Sequence, residues 1–276
     1  MKKYELTGEC KVYFGVTLRR IKSLIDFSDV KKGELGGFIE KEENLSHENN
    51  AWVYGNAEVS GDARVSGDAR VSGDAWVYGN AEVSGDAEVS GDARVSGDAR
   101  VSGDAWVYGN AEVSGDARVS GDARVYGDAR VSGNAWVSGD ARVSGNAWVY
   151  GDARVSGNAW VYGNAEVSGD ARVSGDARVY GDARVSGNAR VSGDAWVYGD
   201  ADYVLIGRIG SRFGFTTFFR NKNNEIYVSC GCFLGPLAEF RAAVREKHGT
   251  DTKFAKVYQV AADLAELQIE HNGKAD

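Results

Sequence analysis

From Ala51 to Asp200 the apolar and polar positions follow one strict period of six, Ala-x-Val-x-Gly-Asp/Asn, repeated twenty-five times without interruption. Ala and Val stand two positions apart, so on an extended backbone both point to one side and the two variable residues to the other. Gly followed by Asp or Asn signals a turn, because these residues tolerate positive φ at the least cost. Each hexad is therefore predicted to be a short strand with a small apolar inner face and a corner. Two inner side chains cannot form a core alone, so neighbouring hexads must stack, and the pattern predicts a solenoid. A period of six excludes ankyrin, leucine-rich and pentapeptide architectures.

The flanks read differently. A solenoid leaves unpaired strand edges at its ends and needs caps. Residues 1–44 are expected to form the N-terminal cap, with apolar groups at Val12 to Phe14, Ile21 to Phe27 and Leu35 to Ile39. Residues 45–50, LSHENN, read as one degenerate hexad, so the repeat domain is placed at 45–200. All ten Phe lie outside the repeats, seven of them in residues 201–276. There, Tyr203 to Ile206, Phe213 to Arg220 and Ile226 to Cys230 read as strands, the last two joined by a turn at Asn221 to Asn224. Pro236 fits the start of a helix with Leu237, Phe240 and Val244 inward, stopped by Gly249. A second helix is expected over Thr252 to Ile269, with Phe254, Val257, Ala261 and Leu264 on its buried stripe. Residues 201–276 thus read as a small α+β module.

Written from its Val, the unit VSGDAR carries an aliphatic residue and, four positions on, a small one, as in Val53 to Ala57 and Val59 to Ala63. In this the chain resembles the left-handed parallel β-helix hexapeptide-repeat family, of the bacterial transferase hexapeptide type. The segments GELGGFIEKEENL and EIYVSCGCFLGPLAEF are similar to uncharacterised hexapeptide-repeat proteins of phages and prophages. The resemblance implies a mainly β fold, with three hexads per triangular coil and a left-handed crossover, against the usual hand. Twenty-five hexads then give a little over eight coils.

Every third hexad shares a face, which sets the outward rows. The first face carries Trp52, Arg70, Glu88, Trp106, Arg124, Arg142, Trp160, Arg178 and Trp196, beside a row with Tyr54, Tyr108, Tyr126, Tyr162, Tyr180 and Tyr198. The ring-rich end, Trp160, Tyr162, Arg178, Tyr180, Trp196 and Tyr198, is the candidate binding patch for a protein or a sugar. The plainer reading is a set of cross-strand ladders that stabilise the sheet. The word AWVYGNAEVS recurs at 51, 75, 105 and 159, so it falls on more than one face, which favours the plainer reading. On the third face Arg154, Arg172 and Arg190 stack one coil apart as a candidate anion contact, with Asp152, Asp170 and Asp194 expected to neutralise them.

Charge and chemistry narrow the function. The net charge is −8, and the repeats carry 13 Arg against 17 Asp and 5 Glu. An acidic surface disfavours direct nucleic-acid binding and membrane-surface binding. No apolar run approaches the roughly 18 residues of a membrane span, and the start MKKYELTGEC lacks a signal-peptide core. Three Cys give no disulfide framework, so a cytoplasmic protein is expected. Cys230-Gly231-Cys232 with His248 lacks the second ligand pair of a zinc site, and packing is the expected role of these thiols.

Many members of the resembled family are acyltransferases with a catalytic His and loops breaking the coils, and some are zinc enzymes with a His cluster. Here His47, His248 and His271 all lie outside the repeats, and no hexad is interrupted. No catalytic residue, metal or cofactor is therefore assigned. The expected function is a non-catalytic scaffold or interaction module whose partner is another protein, and the phage-like ends suggest a phage-encoded binder or inhibitor of a bacterial host factor. Self-association through the aromatic faces is a further expectation. The alternatives are an acyltransferase-like enzyme, or a rod that mimics DNA, binds anions or binds carbohydrate.

Overall fold

Hexad after hexad, the variable residue and the Val that follows form a short strand, two residues long in Glu58–Val59 and Arg64–Val65 and four in Trp106–Gly109 and Arg124–Gly127. The computed structural model describes residues 1–13 and 15–271, with side chains described as far as Ile269. Phe14 of the expected cap and the side chain of His271 lie outside the described residues. The protein is mainly β, a parallel β-solenoid of about nine turns with a small helix and sheet module at its C-terminal end. Its residues group into two compact units, Met1–Gly151 and Asp152–Asp276.

In the first unit each strand pairs in parallel with the strand three hexads on, as Arg100↔Arg118 and Glu88↔Trp106 show. The three outward rows are therefore those read from the period. Between coils, the amide of Arg100 donates to the Ala117 carbonyl at 2.9 Å, and that of Ser102 to Val119 at 3.0 Å. The inward Ala and Val side chains are fully buried, and each buried Val contributes roughly 1.5–3 kcal/mol. At the corners a glycine is mandatory. Gly103 has φ +70°, and a Cβ there would stand 3.0 Å from the Gly121 nitrogen of the next coil.

The cap of this unit is an antiparallel hairpin, Tyr4–Tyr13 with Val16–Ser23, whose second strand pairs with Leu35–Ile39. That last strand then joins the solenoid in parallel, with Phe38↔Glu58 and Ile39↔Val59. Leu45 bridges to Val65 in the same manner. Ile39 and Leu45 thus stand where Val stands in the repeats, which extends the winding beyond the expected count of a little over eight coils.

In the second unit the repeats continue with Arg154↔Arg172↔Arg190, Trp160↔Arg178↔Trp196 and Glu166↔Arg184. The C-terminal module follows as a four-stranded antiparallel meander, Tyr203–Ile209, Gly214–Arg220, Ile226–Cys230 and Phe233–Pro236. The fourth strand was not legible in the sequence, because Gly235 and Pro236 interrupt its pattern. Two helices pack on this sheet, α1 (Leu237–His248) and α2 (Lys253–His271). Leu237 and Phe240 are buried as expected, and α1 stops at Gly249 with φ +73°. The buried stripe of α2 differs from the expectation. Ala255, Ala261, Ala262, Ala265 and Ile269 face the core, whereas Leu264 is 51% exposed and Phe254 is also exposed. Small residues let the helix lie close to the sheet, and the larger apolar side chains are left outside.

The module closes the last coils of this unit. The Thr217 hydroxyl accepts the Arg190 amide at 2.9 Å, the Asp200 carboxylate accepts the Arg184 amide at 2.8 Å, and Ala195 bridges to Asn221. Strand edges that would otherwise be bare are thereby satisfied.

Candidate functional site

The aromatic patch of the second unit is built by the period itself. Tyr follows Val in selected hexads of one face, so rings three hexads apart must meet. Tyr162 and Tyr180 stack with centroids 5.0 Å apart and planes 5° apart, and Tyr198 meets Tyr180 edge-on at 5.1 Å. Trp160 packs on Tyr162 at 4.5 Å. The Arg178 guanidinium lies 5.1 Å from the Trp196 ring, a cation–π geometry. Burial pushes the Tyr162 and Tyr180 hydroxyls above their usual range. All six candidate residues are therefore together on one face.

The end of this ladder is anchored to the module. The Asp202 carboxylate accepts the amides of Tyr198 and Gly199 and pairs with Arg220 at 3.0 Å. The Tyr198 side chain remains 63% exposed. Rings held in register by the backbone lose little freedom when covered, so such a surface is suited to binding.

The arginine row Arg154, Arg172 and Arg190 is in register one coil apart. One of its expected counter-charges is engaged elsewhere, since Asp194 pairs with Lys222 at 2.8 Å.

In the first unit the cap changes the reading of two residues. Trp52, placed in an outward row by the period, is fully buried. Phe27 and Tyr4 meet it edge-on at 5.4 and 6.1 Å. Lys3 crosses beside it and donates from its ammonium to the Ala51 carbonyl at 2.7 Å, and burial lowers that ammonium to about 8. His47 lies outside the repeats in sequence but against them in space. It borders an open groove of about 720 Å³ with Arg64, Ser66, Glu82 and Ser84. Its Nδ1 accepts the Lys3 amide at 3.2 Å and its ring stacks on Tyr4 at 4.3 Å. Its Nε2 is buried without a hydrogen bond among the described residues, 3.9 Å from the Glu42 carboxylate. Desolvation holds the imidazole below its usual range. Such a histidine fastens the cap, and neither nitrogen faces the groove ready to take a proton from a substrate.

In the C-terminal module Cys230 is half-buried and accepts the Thr216 hydroxyl at 3.2 Å, while Cys232 is exposed. Both border one cavity with His248. Among the described residues no three His, Cys, Asp or Glu side chains gather as a metal would require. No helix among them is long and apolar enough to cross a membrane.

Comparison with known proteins bears on the repeats. The YdcK beta solenoid repeat model matches residues 63–79, 93–109, 123–139, 137–151, 147–163, 165–181, 171–186 and 183–199. A curated relative, the "Uncharacterized acetyltransferase YdcK" of Escherichia coli (strain K12), is 37% identical over 62 residues, 20% of this chain and 19% of the relative. The chain thus spans about a fifth of the length of that relative. The parallel winding of the strands and these matches agree that the chain is a β-solenoid repeat protein, with repeats similar to those of YdcK.

Proposed function

We propose that this solenoid is a non-catalytic scaffold whose specific partner is another protein, held by the aromatic face of the second unit. The observation that carries this reading is the stacked ladder Tyr162, Tyr180 and Tyr198 beside Arg178 over Trp196. Tyr, Trp and Arg dominate interface hot spots, and the rings bury large areas with few torsions to freeze. This reading extends to a bacterial host protein as the partner, which is what a phage-like origin of the segments GELGGFIEKEENL and EIYVSCGCFLGPLAEF would imply. The test is affinity capture from host lysate by the parent and by a variant with Ala at Trp160, Tyr162, Tyr180, Trp196 and Tyr198. The parent is expected to retain a discrete partner that the variant loses. An identical captured set from both sinks the reading.

A second reading, acetyl transfer, is favoured by the name of the Escherichia coli relative. It would use the groove beside His47, and the occupied Nδ1 and buried Nε2 of that residue weigh against it. Acetyl-CoA titration into the parent separates the two, since only a transferase requires saturable binding.

A further inference from the structure

The cavity in the C-terminal module is built from four separate stretches of chain. Its walls are rings. Phe233 and Phe240 meet at 5.5 Å, Tyr258 stands edge-on to Phe240 at 5.6 Å, and Phe215 closes one side. The pocket opens to solvent on one side and offers about 160 Å³, and an apolar cavity of roughly 150 Å³ accepts a benzene ring. The rim has a different character, with Arg212, Lys247 and His248 on it and neither Asp nor Glu among the lining residues. In a chain with 40 carboxylates and a net charge of −8, a lining that is basic and free of acid is a local reversal.

Helix electrostatics account for part of this reversal, since Lys247 and His248 stand in the last turn of α1, where the dipole favours cations. Arg212 has no such cause. It comes from the turn between the first two strands of the module, and no carboxylate pairs with it or with Lys247 among the described residues. The turn is seated with care. Gly210 has φ +72°, and a Cβ there would fall 1.8 Å from the Tyr258 hydroxyl. Only glycine lets the turn rest on Tyr258 and bring Arg212 to the rim. The Tyr258 hydroxyl is raised to about 12, chiefly by burial, while Arg212 pulls it down.

We propose that this cavity binds a small aromatic carboxylate, its ring among Phe215, Phe233, Phe240 and Tyr258 and its carboxylate between Arg212 and Lys247. Charge-assisted hydrogen bonds from a guanidinium suit a planar carboxylate, and the rings give an aromatic acid apolar contact that acetate cannot make. This site is independent of the aromatic face proposed for the protein partner, so either can fail without the other.

The test is calorimetric titration of the full chain with benzoate, with benzamide as the neutral isostere, and with acetate. Benzoate is expected to saturate one site, benzamide to bind at least tenfold more weakly, and acetate not to bind. The double variant Arg212→Ala, Lys247→Ala should lower benzoate affinity tenfold or more and leave benzamide unchanged. Ala243→Leu, which fills the cavity from α1, should abolish binding of both ring compounds. Benzoate binding no better than benzamide, binding unchanged by the double variant or by Ala243→Leu, or no benzoate binding at all overturns the proposal.

Discussion

Val119 is fully buried with its neighbours on every side, whereas Ser120 beside it accepts one exposed hydrogen bond from the Trp136 indole at 3.1 Å. Val119→Asp places a charge in a space with no partner, and a loss of several kcal/mol is expected. Ser120→Ala should cost under about 1 kcal/mol. Thermal unfolding of the two variants checks the inward and outward assignment. At the corners, carboxylates one coil apart face each other. Burial, and then the carboxylates of Asp122 and Asp86, hold Asp104 above its usual range. Elsewhere the molecule relieves this contact with Asn, whose amide donates to the next Asp, as in Asn80 to Asp98 at 2.8 Å and Asn110 to Asp128 at 2.9 Å. Asp104→Asn is therefore expected to raise the melting temperature at pH 7. Because the folded pKa of Asp104 is raised, acid favours the folded parent, so the advantage of the variant should shrink as the pH falls through the carboxylate range. A gain that is the same at pH 7 and pH 3 contradicts this account.

Among the elements, the N-terminal cap depends on one imidazole. His47 must be neutral at Nδ1 to accept the Lys3 amide, and its folded pKa lies below the ordinary value of 6.5. The unfolded chain then takes up the proton first, so cap stability is complete above about pH 6.5 and declines as the pH falls through the folded value. Hydrogen-exchange protection of the Lys3 amide should drop between pH 7 and pH 5 in the parent, and His47→Gln should remove that dependence. The sequence pointed to a cap, because one hexad pattern carries strand, face and corner together, but it did not place Ile39 in the winding, since the residues around it lack the Ala-x-Val-x-Gly pattern. It could not show the burial of Trp52. The same word AWVYGN leaves Trp106 45% exposed, so only the hairpin folded over the first coil distinguishes the two. For α2 the difficulty was a helix with apolar residues on both sides. Phe254, Val257 and Leu264 offered a stripe as convincing as the Ala-rich one that packs, and Ala261 borders both. The ring-lined cavity was illegible for another reason, since its residues come from distant stretches with no common spacing. The aromatic ladder was legible, because its partners lie 18 residues apart on a fixed period.

For the molecule as a whole, stability is a sum over coils and the interfaces between them. The C-terminal module terminates that sum in its own unit by covering the Arg184, Arg190 and Ala195 backbone. A chain ending at Asp200 should therefore self-associate as its concentration rises, because bare strand edges pair with other chains. Sedimentation of the truncated and parent chains over the same concentration range decides this, and equal masses throughout would refute it. The sameness of Ala, Val and Gly on all three faces also bears on how the gene can change. Near-identical stretches of codons mispair during copying, and a slip that keeps the six-residue frame inserts or removes whole hexads. Each such product still offers Val to Val and Gly to Gly, whatever face the new hexad lands on. Selection can then tune the number of coils in single inherited steps, while the outward residues drift separately from the length they decorate.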